Sequence, residues 1–209
     1  MTAAEIWQQF IEGMKQTGML ECIAVFAGIA SVWYSKAENI LVYPVGLVNT
    51  IFYVYLSIKG QLLGEAAVNL YYTVMSIYGW YLWTRENKEQ QLVVQISFSD
   101  TKWWVQQGLF FVAFYVGIFI SLTYLKKSFA SGAIPWADAL ASAAAFTGMW
   151  LMAKKKVESW YWWIITNIVS IPLYFVKQYV FTSVYYVVVL IMAVFGLLAW
   201  RRKAIIQSK

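Results

Sequence analysis

Seven stretches of this chain are long, apolar and almost free of charge: approximately 19–35, 39–58, 62–84, 103–125, 134–153, 159–177 and 181–200. A helix of roughly 20 apolar residues spans a bilayer's hydrocarbon core. Such a segment must satisfy its own backbone there, and the ten-residue alternation of a membrane β-strand is missing, so these stretches predict helices. The 209 residues are 61% hydrophobic and 12% charged, whereas a soluble domain is about half apolar and a quarter charged. The expected class is an all-α integral membrane protein with seven transmembrane helices. Residues 1–18 lack a basic start and a long apolar core, and they carry Glu5 and Glu12, which is not a secretory signal. Ile6, Phe10, Ile11 and Met14 recur at helical spacing, predicting a short amphipathic helix lying on the membrane surface.

The connectors are short except for 85–102, RENKEQQLVVQISFSDTK, which is long, polar and divides the chain. Seven crossings place the two ends on opposite sides. One side then holds Lys15, Lys59, Lys126, Lys127 and Lys177. The other holds Lys36, Arg85, Lys88, Lys102, Lys154, Lys155, Lys156, Arg201, Arg202, Lys203 and Lys209. The richer side is cytoplasmic by the positive-inside rule, so the N-terminus is expected outside and the basic tail 201–209 inside. Trp33, Trp80, Trp83, Trp103, Trp104, Trp150 and Trp200 fall at the inner ends and fit an interfacial belt. The net charge of +6 sits singly or in short clusters between apolar runs, which argues for orientation signals and against nucleic acid. Cys22 is the single cysteine and there is no histidine. No internal disulfide, zinc cluster, serine–histidine pair or phosphate-binding loop can be assembled. Neither an enzyme nor a cofactor is expected.

An internal repeat is visible. YPVGLVNTIFYVYLSIKG, from Tyr43, lies over YWWIITNIVSIPLYFVKQ, from Tyr161, placing Asn49 on Asn167 and Lys59 on Lys177 at an offset of 118. Lys36 falls on Lys154, and one deleted residue brings Gly79 onto Gly196. The expected architecture is a three-helix repeat over 19–84, a single linking helix over 103–125, and a second repeat over 134–200. One linking helix makes the repeats parallel, a transporter plan with substrate bound between them near midplane.

The segment ESWYWWIITNIVSIPLY, Glu158 to Tyr174, carries the most informative side chains. Trp160, Trp163, Asn167, Ser170 and Tyr174 share one helical face at about 100° per residue. An amide as deep as Asn167 must face protein, water or ligand. The alternatives are an interhelical hydrogen bond for Asn167 and a belt position for Trp160. Trp162 lies off this face and is expected against lipid. A second stripe comprises Asn69, Tyr72, Thr73, Ser76, Gly79, Trp80 and Trp83. Asn69 and Tyr72 are the stronger ligand candidates, while Thr73 and Ser76 also suit close helix packing. By the repeat, Asn49 and Tyr53 face the same cavity. Gln106 and Gln107 are expected as a solvated helix start. Glu21, Glu65 and Asp138 lie near outer ends, and no carboxylate or basic group falls at a predicted midplane. Coupled transporters commonly place one there. The pattern fits passive movement of a small, flat, polar molecule, with rings stacking on it and amides matching its polar groups. A cationic ring would gain a cation–π term.

Trp160-x-x-Trp163-x-x-x-Asn167, with YPVGLVNTIFYVYLSIKGQ at Tyr43 and NLYYTVMSIYGWYLW at Asn69, resembles the PnuC family of bacterial vitamin transporters over nearly the whole chain. The resemblance implies uptake of nicotinamide riboside across the inner membrane by facilitated diffusion, with trapping by a cytoplasmic kinase. It also implies a fold similar to a full-length relative of the SWEET sugar transporters, and a homotrimer. Trp160, Trp163 and Asn167 stand in the matching motif and carry over as substrate contacts. Relatives carry thiamine or riboflavin on the same scaffold, so another ring-bearing vitamin is the alternative, and a nucleoside-binding membrane sensor is a further one.

Overall fold

The computed structural model describes residues 2–16, 18–59, 63–87, 92–129 and 132–208. These form eight helices: α1 (Ala3–Gln16), α2 (Met19–Lys36), α3 (Val42–Lys59), α4 (Leu63–Thr84), α5 (Thr101–Phe129), α6 (Pro135–Ala153), α7 (Ser159–Val176) and α8 (Val180–Gln207). No strand occurs among the described residues, only isolated bridges between Glu86 and Leu92 and between Ser97 and Lys156. Helices α2, α5 and α8 are long and apolar enough to cross a membrane. The N-terminal helix packs on α8, with Phe10 and Phe181 ring centroids 5.7 Å apart. Lys88 and Lys209 of the orientation argument lie outside the described residues.

Helix α3 packs against both α2 and α4, and α7 against both α6 and α8; α2 meets α8, α4 meets α6, and α5 rests on α6. Local chemistry sets the helix ends. Pro135 opens α6 at a position where its missing N–H is not needed. Helices α2, α6 and α7 close through the same motif. The left-handed residues are Glu38 (φ 58°), Lys155 (φ 51°) and Gln178 (φ 68°). The following amides, Asn39, Lys156 and Tyr179, donate back to the carbonyls of Tyr34, Leu151 and Tyr174 at 2.9, 3.0 and 2.9 Å. Left-handed backbone costs about 1 kcal/mol in a residue other than glycine; the recovered carbonyl bonds help offset it.

Several details recur 117 residues apart. The ring of Tyr43 covers Gly79 and the ring of Trp160 covers Gly196, each where a Cβ would collide with it. Tyr43 meets Trp83 edge-on at 5.2 Å and 86°, and Trp160 meets Trp200 at 5.6 Å and 88°. Asn49 Nδ2 donates to the Ala24 carbonyl at 2.7 Å, and Thr166 Oγ1 lies 3.4 Å from the Ala141 carbonyl. The offset of 118 is therefore one residue too long. Asn49 corresponds to Thr166, and Thr50 to Asn167. Matching the two asparagines forced the slip, and one residue on a helix is a rotation of about 100°.

The core lies at the lysine- and arginine-rich end. Tyr43, Leu82, Trp83, Ile96, Met152, Val157, Trp160 and Trp200 are buried together there. Trp83 and Trp200 are thus core residues, contrary to the belt expectation, whereas Trp33, Trp80 and Trp104 remain exposed. The connector 92–100 straps this end. Ser97 N–H donates to the Lys155 carbonyl and Val157 N–H to the Ser97 carbonyl. Glu158 Oε2 accepts from Ser99 N–H at 3.0 Å and from Ser99 Oγ at 2.7 Å. Glu38 binds Lys155 at 2.7 Å and Lys203 at 3.1 Å. Burial raises the Glu38 pKa, but the hydrogen bonds and charges of Lys155 and Lys203 outweigh it and leave it below its ordinary value. The pairing therefore contributes its full stabilisation above the ordinary carboxylate range and loses it as pH falls through the lowered value.

Two more expectations are corrected. Gln107 is 0% exposed, and its Oε1 accepts from Trp162 Nε1 at 2.8 Å. Trp162 also packs on Phe111 at 4.8 Å. It pins α7 to α5 rather than facing lipid, and Gln107 is a buried anchor rather than a solvated helix start.

Gly79→Ala and Gly196→Ala should each cost about 1–3 kcal/mol through overpacking, read as a lower melting temperature of the purified protein. Gly108→Ala, with open space around it, should be neutral or slightly stabilising. Glu158→Ala removes both Ser99 bonds, so amide hydrogen exchange at Ser97–Ser99 should quicken by about tenfold or more. Unchanged exchange there would mean the strap is held by other contacts.

Candidate functional site

The α7 face does not act as one unit. Trp160, 1% exposed, is spent on Gly196 and Trp200 in the core. Three positions on, the face changes character. Trp163 is half-buried, its indole resting 3.3 Å from the point a Cβ would take on Gly148 of α6. Across from it stands Tyr72 of α4, with ring centroids 6.2 Å apart. Asn167 follows one turn later, 1% exposed, and its Nδ2 has no hydrogen-bond partner among the described residues. Ser170 and Tyr174 continue the line. Tyr174 stacks on Tyr186 of α8 at 5.2 Å and 19°.

Tyrosines from four helices converge on this region. Tyr72 of α4 lies close enough to Tyr185 and Tyr186 of α8 to interact electrostatically. Tyr53 of α3 does so with both as well, and Tyr174 of α7 with Tyr186. Above Gly28 of α2, the Asn49 amide and the Tyr185 hydroxyl both approach within 3.0 Å of a built Cβ position. Glycine is required there, because any side chain would displace one of these polar groups. Tyr53, Tyr72, Trp163, Tyr174, Tyr185 and Tyr186 are each only half-buried.

The sequence candidates divide clearly. Tyr53, Tyr72 and Tyr174 join the tyrosine cluster, with Trp163 beside Tyr72 and Asn49 beside Tyr185. Asn49 nevertheless uses its amide N–H on the α2 backbone. Asn69 donates to the Glu65 carbonyl of its own helix at 2.9 Å. The Thr73 hydroxyl lies 2.9 Å from the Asn69 carbonyl and 3.0 Å from the Thr50 hydroxyl; with one proton, it donates to the first and accepts from the second. Ser76 is buried, 4.0 Å from a Cβ position on Gly46. Thr73 and Ser76 join α4 to α3. Tyr185 and Tyr186 were missed. Their signal was present: SVYYVVV puts adjacent phenols into a valine-rich segment, where each hydroxyl needs a partner.

The arrangement offers hydroxyls and one open amide donor beside an indole, with no nucleophile–base pair. Among the described residues no cluster of metal-ligating side chains exists. It can bind a molecule that has both a flat ring and hydrogen-bonding groups.

The family model described as nicotinamide mononucleotide transporter matches residues 18–202. The riboflavin/roseoflavin transporter RibM of Streptomyces davaonensis is 29% identical over 143 residues, covering 68% of this chain and 65% of that protein, just under two thirds of its length. The nicotinamide riboside transporter PnuC of Escherichia coli is 23% identical over 205 residues, covering 88% of this chain and 86% of that protein. A crystal structure of the vitamin B3 transporter PnuC superposes with a TM-score of 0.72 at 22% identity, over 95% of this chain and 88% of that one, which shows a shared fold. The chain belongs to the nicotinamide mononucleotide transporter family.

Proposed function

We propose that this chain imports nicotinamide riboside by facilitated diffusion through alternating access, and that a cytoplasmic kinase traps the product. Helices α2–α4 and α6–α8 are the two parallel repeats and α5 the link, a seven-span 3+1+3 arrangement of SWEET-like type. The protein sits in a bacterial inner membrane as a homotrimer, with α1 on the outer surface and the basic C-terminus inside. The observation that carries the reading is the buried, unpartnered amide of Asn167 one turn from the half-buried face of Trp163. A donor left open in an apolar interior costs about 1–3 kcal/mol, a cost that a ligand's acceptor removes. The cationic nicotinamide ring suits the indole face. Tyr53, Tyr72, Tyr174, Tyr185 and Tyr186 supply hydroxyls for the ribose, and Asn49 contributes its carbonyl oxygen. Asn69, Thr73 and Ser76 act by fixing α4, and Trp160 by fixing α7 on α8. All three arginines, Arg85, Arg201 and Arg202, lie at the basic end, so no guanidinium awaits a phosphate within the spans, and a nucleoside fits better than a nucleotide.

A second reading is a flavin. It is favoured by the 29% identity to a riboflavin/roseoflavin transporter, higher than to the nicotinamide riboside carriers though over a shorter stretch. Uptake of labelled nicotinamide riboside into liposomes, without ATP or ion gradients, separates the two. Equilibration to the outside concentration, with weak competition by riboflavin and thiamine, is expected. Stronger competition by riboflavin would transfer the assignment to a flavin, and accumulation above the outside concentration would rule out a passive mechanism.

Asn167→Leu should weaken nicotinamide riboside binding by about tenfold or more, the worth of one hydrogen bond to a charged or polar ligand in a buried site. Its melting temperature should stay level or rise, because an unsatisfied amide is replaced by an apolar group of similar size. Normal binding with a lower melting temperature would make Asn167 a structural residue instead.

A further inference from the structure

The recurrence at 117 residues has a geometric consequence at the basic end. Where two parallel repeats are related by a two-fold axis along the bundle, equivalent residues touch each other only on that axis. Three equivalent pairs do so. Ser35 Oγ donates to Met152 Sδ at 2.9 Å. Glu38 Oε1 binds Lys155 Nζ at 2.7 Å. The indoles of Trp83 and Trp200 lie 6.1 Å apart. The ammonium of Lys155 also sits 4.5 Å above the Trp83 ring, joining two of the layers. Lys155 and Glu38 are largely shielded, at 3% and 19% side-chain exposure.

We infer that these three pairs are a gate, closed in this structure, that shuts the substrate path at the basic end. The inference rests on the transport reading above and names the residues that regulate it. Each pair joins one repeat to the other, so separation of the repeats breaks all three together and nothing within a repeat. The rest of the closure is built to move with them. Tyr43 on Gly79 and Trp160 on Gly196 hold α3 to α4 and α7 to α8, so each half opens as a unit. Ile96 of the connector is buried in the same cluster, beneath the strap that hangs from Lys155 and Glu158.

A gate must be close to balanced, and the closed layer carries its own opposing term. Tyr43 Oη, Trp83 Nε1 and Trp160 Nε1 are buried without partners among the described residues. Closing strips water from these three donors while pairing Glu38 with two lysines and burying indole surface. Opening returns water to them. Lys203, bound to the other oxygen of Glu38 and 43% exposed, holds the carboxylate from the solvent side and is the first contact to loosen.

The test reads opening without any substrate. In a Cys22→Ser background, Ala193→Cys places a thiol at a site that is 1% exposed within the inner cluster. An impermeant maleimide is applied to vesicles from the side of the basic end. Lys155→Gln, which removes one shielded charge-assisted bond, and Glu38→Gln, which weakens the bonds to both lysines, should each raise the labelling rate by about tenfold or more. The charge swap Glu38→Lys with Lys155→Glu should bring labelling back toward the parent rate. Unchanged labelling in both single variants overturns the gate, as does a swap that labels as fast as they do. In a second arm, Ser35→Cys with Met152→Cys, again in Cys22→Ser, is cross-linked by mild oxidation. Uptake of nicotinamide riboside should be lost and should return on reduction. Uptake that continues through the cross-linked chain overturns the proposal. Should the parent carry no nicotinamide riboside, the substrate assignment fails, while the labelling arm still decides the gate.

Discussion

A polar group enclosed by apolar helices has to be paired, and that constraint organises this molecule from end to end. Asn49 meets the α2 backbone, Thr73 meets Thr50, Trp162 meets Gln107, and Trp200 Nε1 donates to the Ser35 carbonyl. Each pairing fixes one helix against another. In an interior where apolar contact alone discriminates poorly between registers, such bonds select a single packing. The places where the constraint is violated are therefore the informative ones. Among the described residues they include the open amide of Asn167 and the three orphaned donors around the Tyr43–Trp83–Trp200–Trp160 layer, besides Gln107 Nε2 and Gln9 Oε1. On the proposed function the first is answered by cargo and the second by water.

Much of the fold was legible because length and apolarity are properties of single segments. Every stretch expected to be helical is helical, including the short amphipathic one at the N-terminus. A recurrence within the chain was visible too, but the contacts recur at 117 residues rather than 118. Asn49 and Asn167 are the most conspicuous polar residues in their helices, and aligning them is natural. Only the contacts Asn49–Ala24 and Thr166–Ala141 reveal that they are neighbours in register rather than equivalents. Neither asparagine has an equivalent amide in the other half: Asn49 is held by the α2 backbone, whereas Asn167 keeps an open donor.

What the sequence hid depends on partners far away in the chain. A tryptophan at a helix end suits an interfacial belt and a core equally well, and Trp83 and Trp200 become core because α4 and α8 bring their rings within 6.1 Å of each other. Gln107 resembled a solvated helix start because its partner, Trp162, lies 55 positions on. Trp160 stood in the recognised motif and on the right helical face, yet the absence of a side chain at Gly196 gives its ring a different seat. Tyr185 and Tyr186 lie in a run whose valines dominate its character, although adjacent phenols among valines are themselves a polar signal.

The distribution of charge completes the physical argument. Glu38, Lys155 and Lys203 pair at one end of the bundle, and Lys177 pairs with Asp138 at the other. The deep faces between carry hydroxyls, amides and rings. A chamber of that kind can hold a molecule whose single charge is spread over a ring, because the indole and phenol faces provide diffuse negative potential. It cannot repay the desolvation of a phosphate, which needs a concentrated cation or several backbone donors. On the transport reading, the same wall would admit a nucleoside and exclude its phosphorylated product. On the transport reading this asymmetry supplies direction to a passive carrier: phosphorylation on the inner side makes the product a poor substrate for the way out, with no ion gradient coupled to the step.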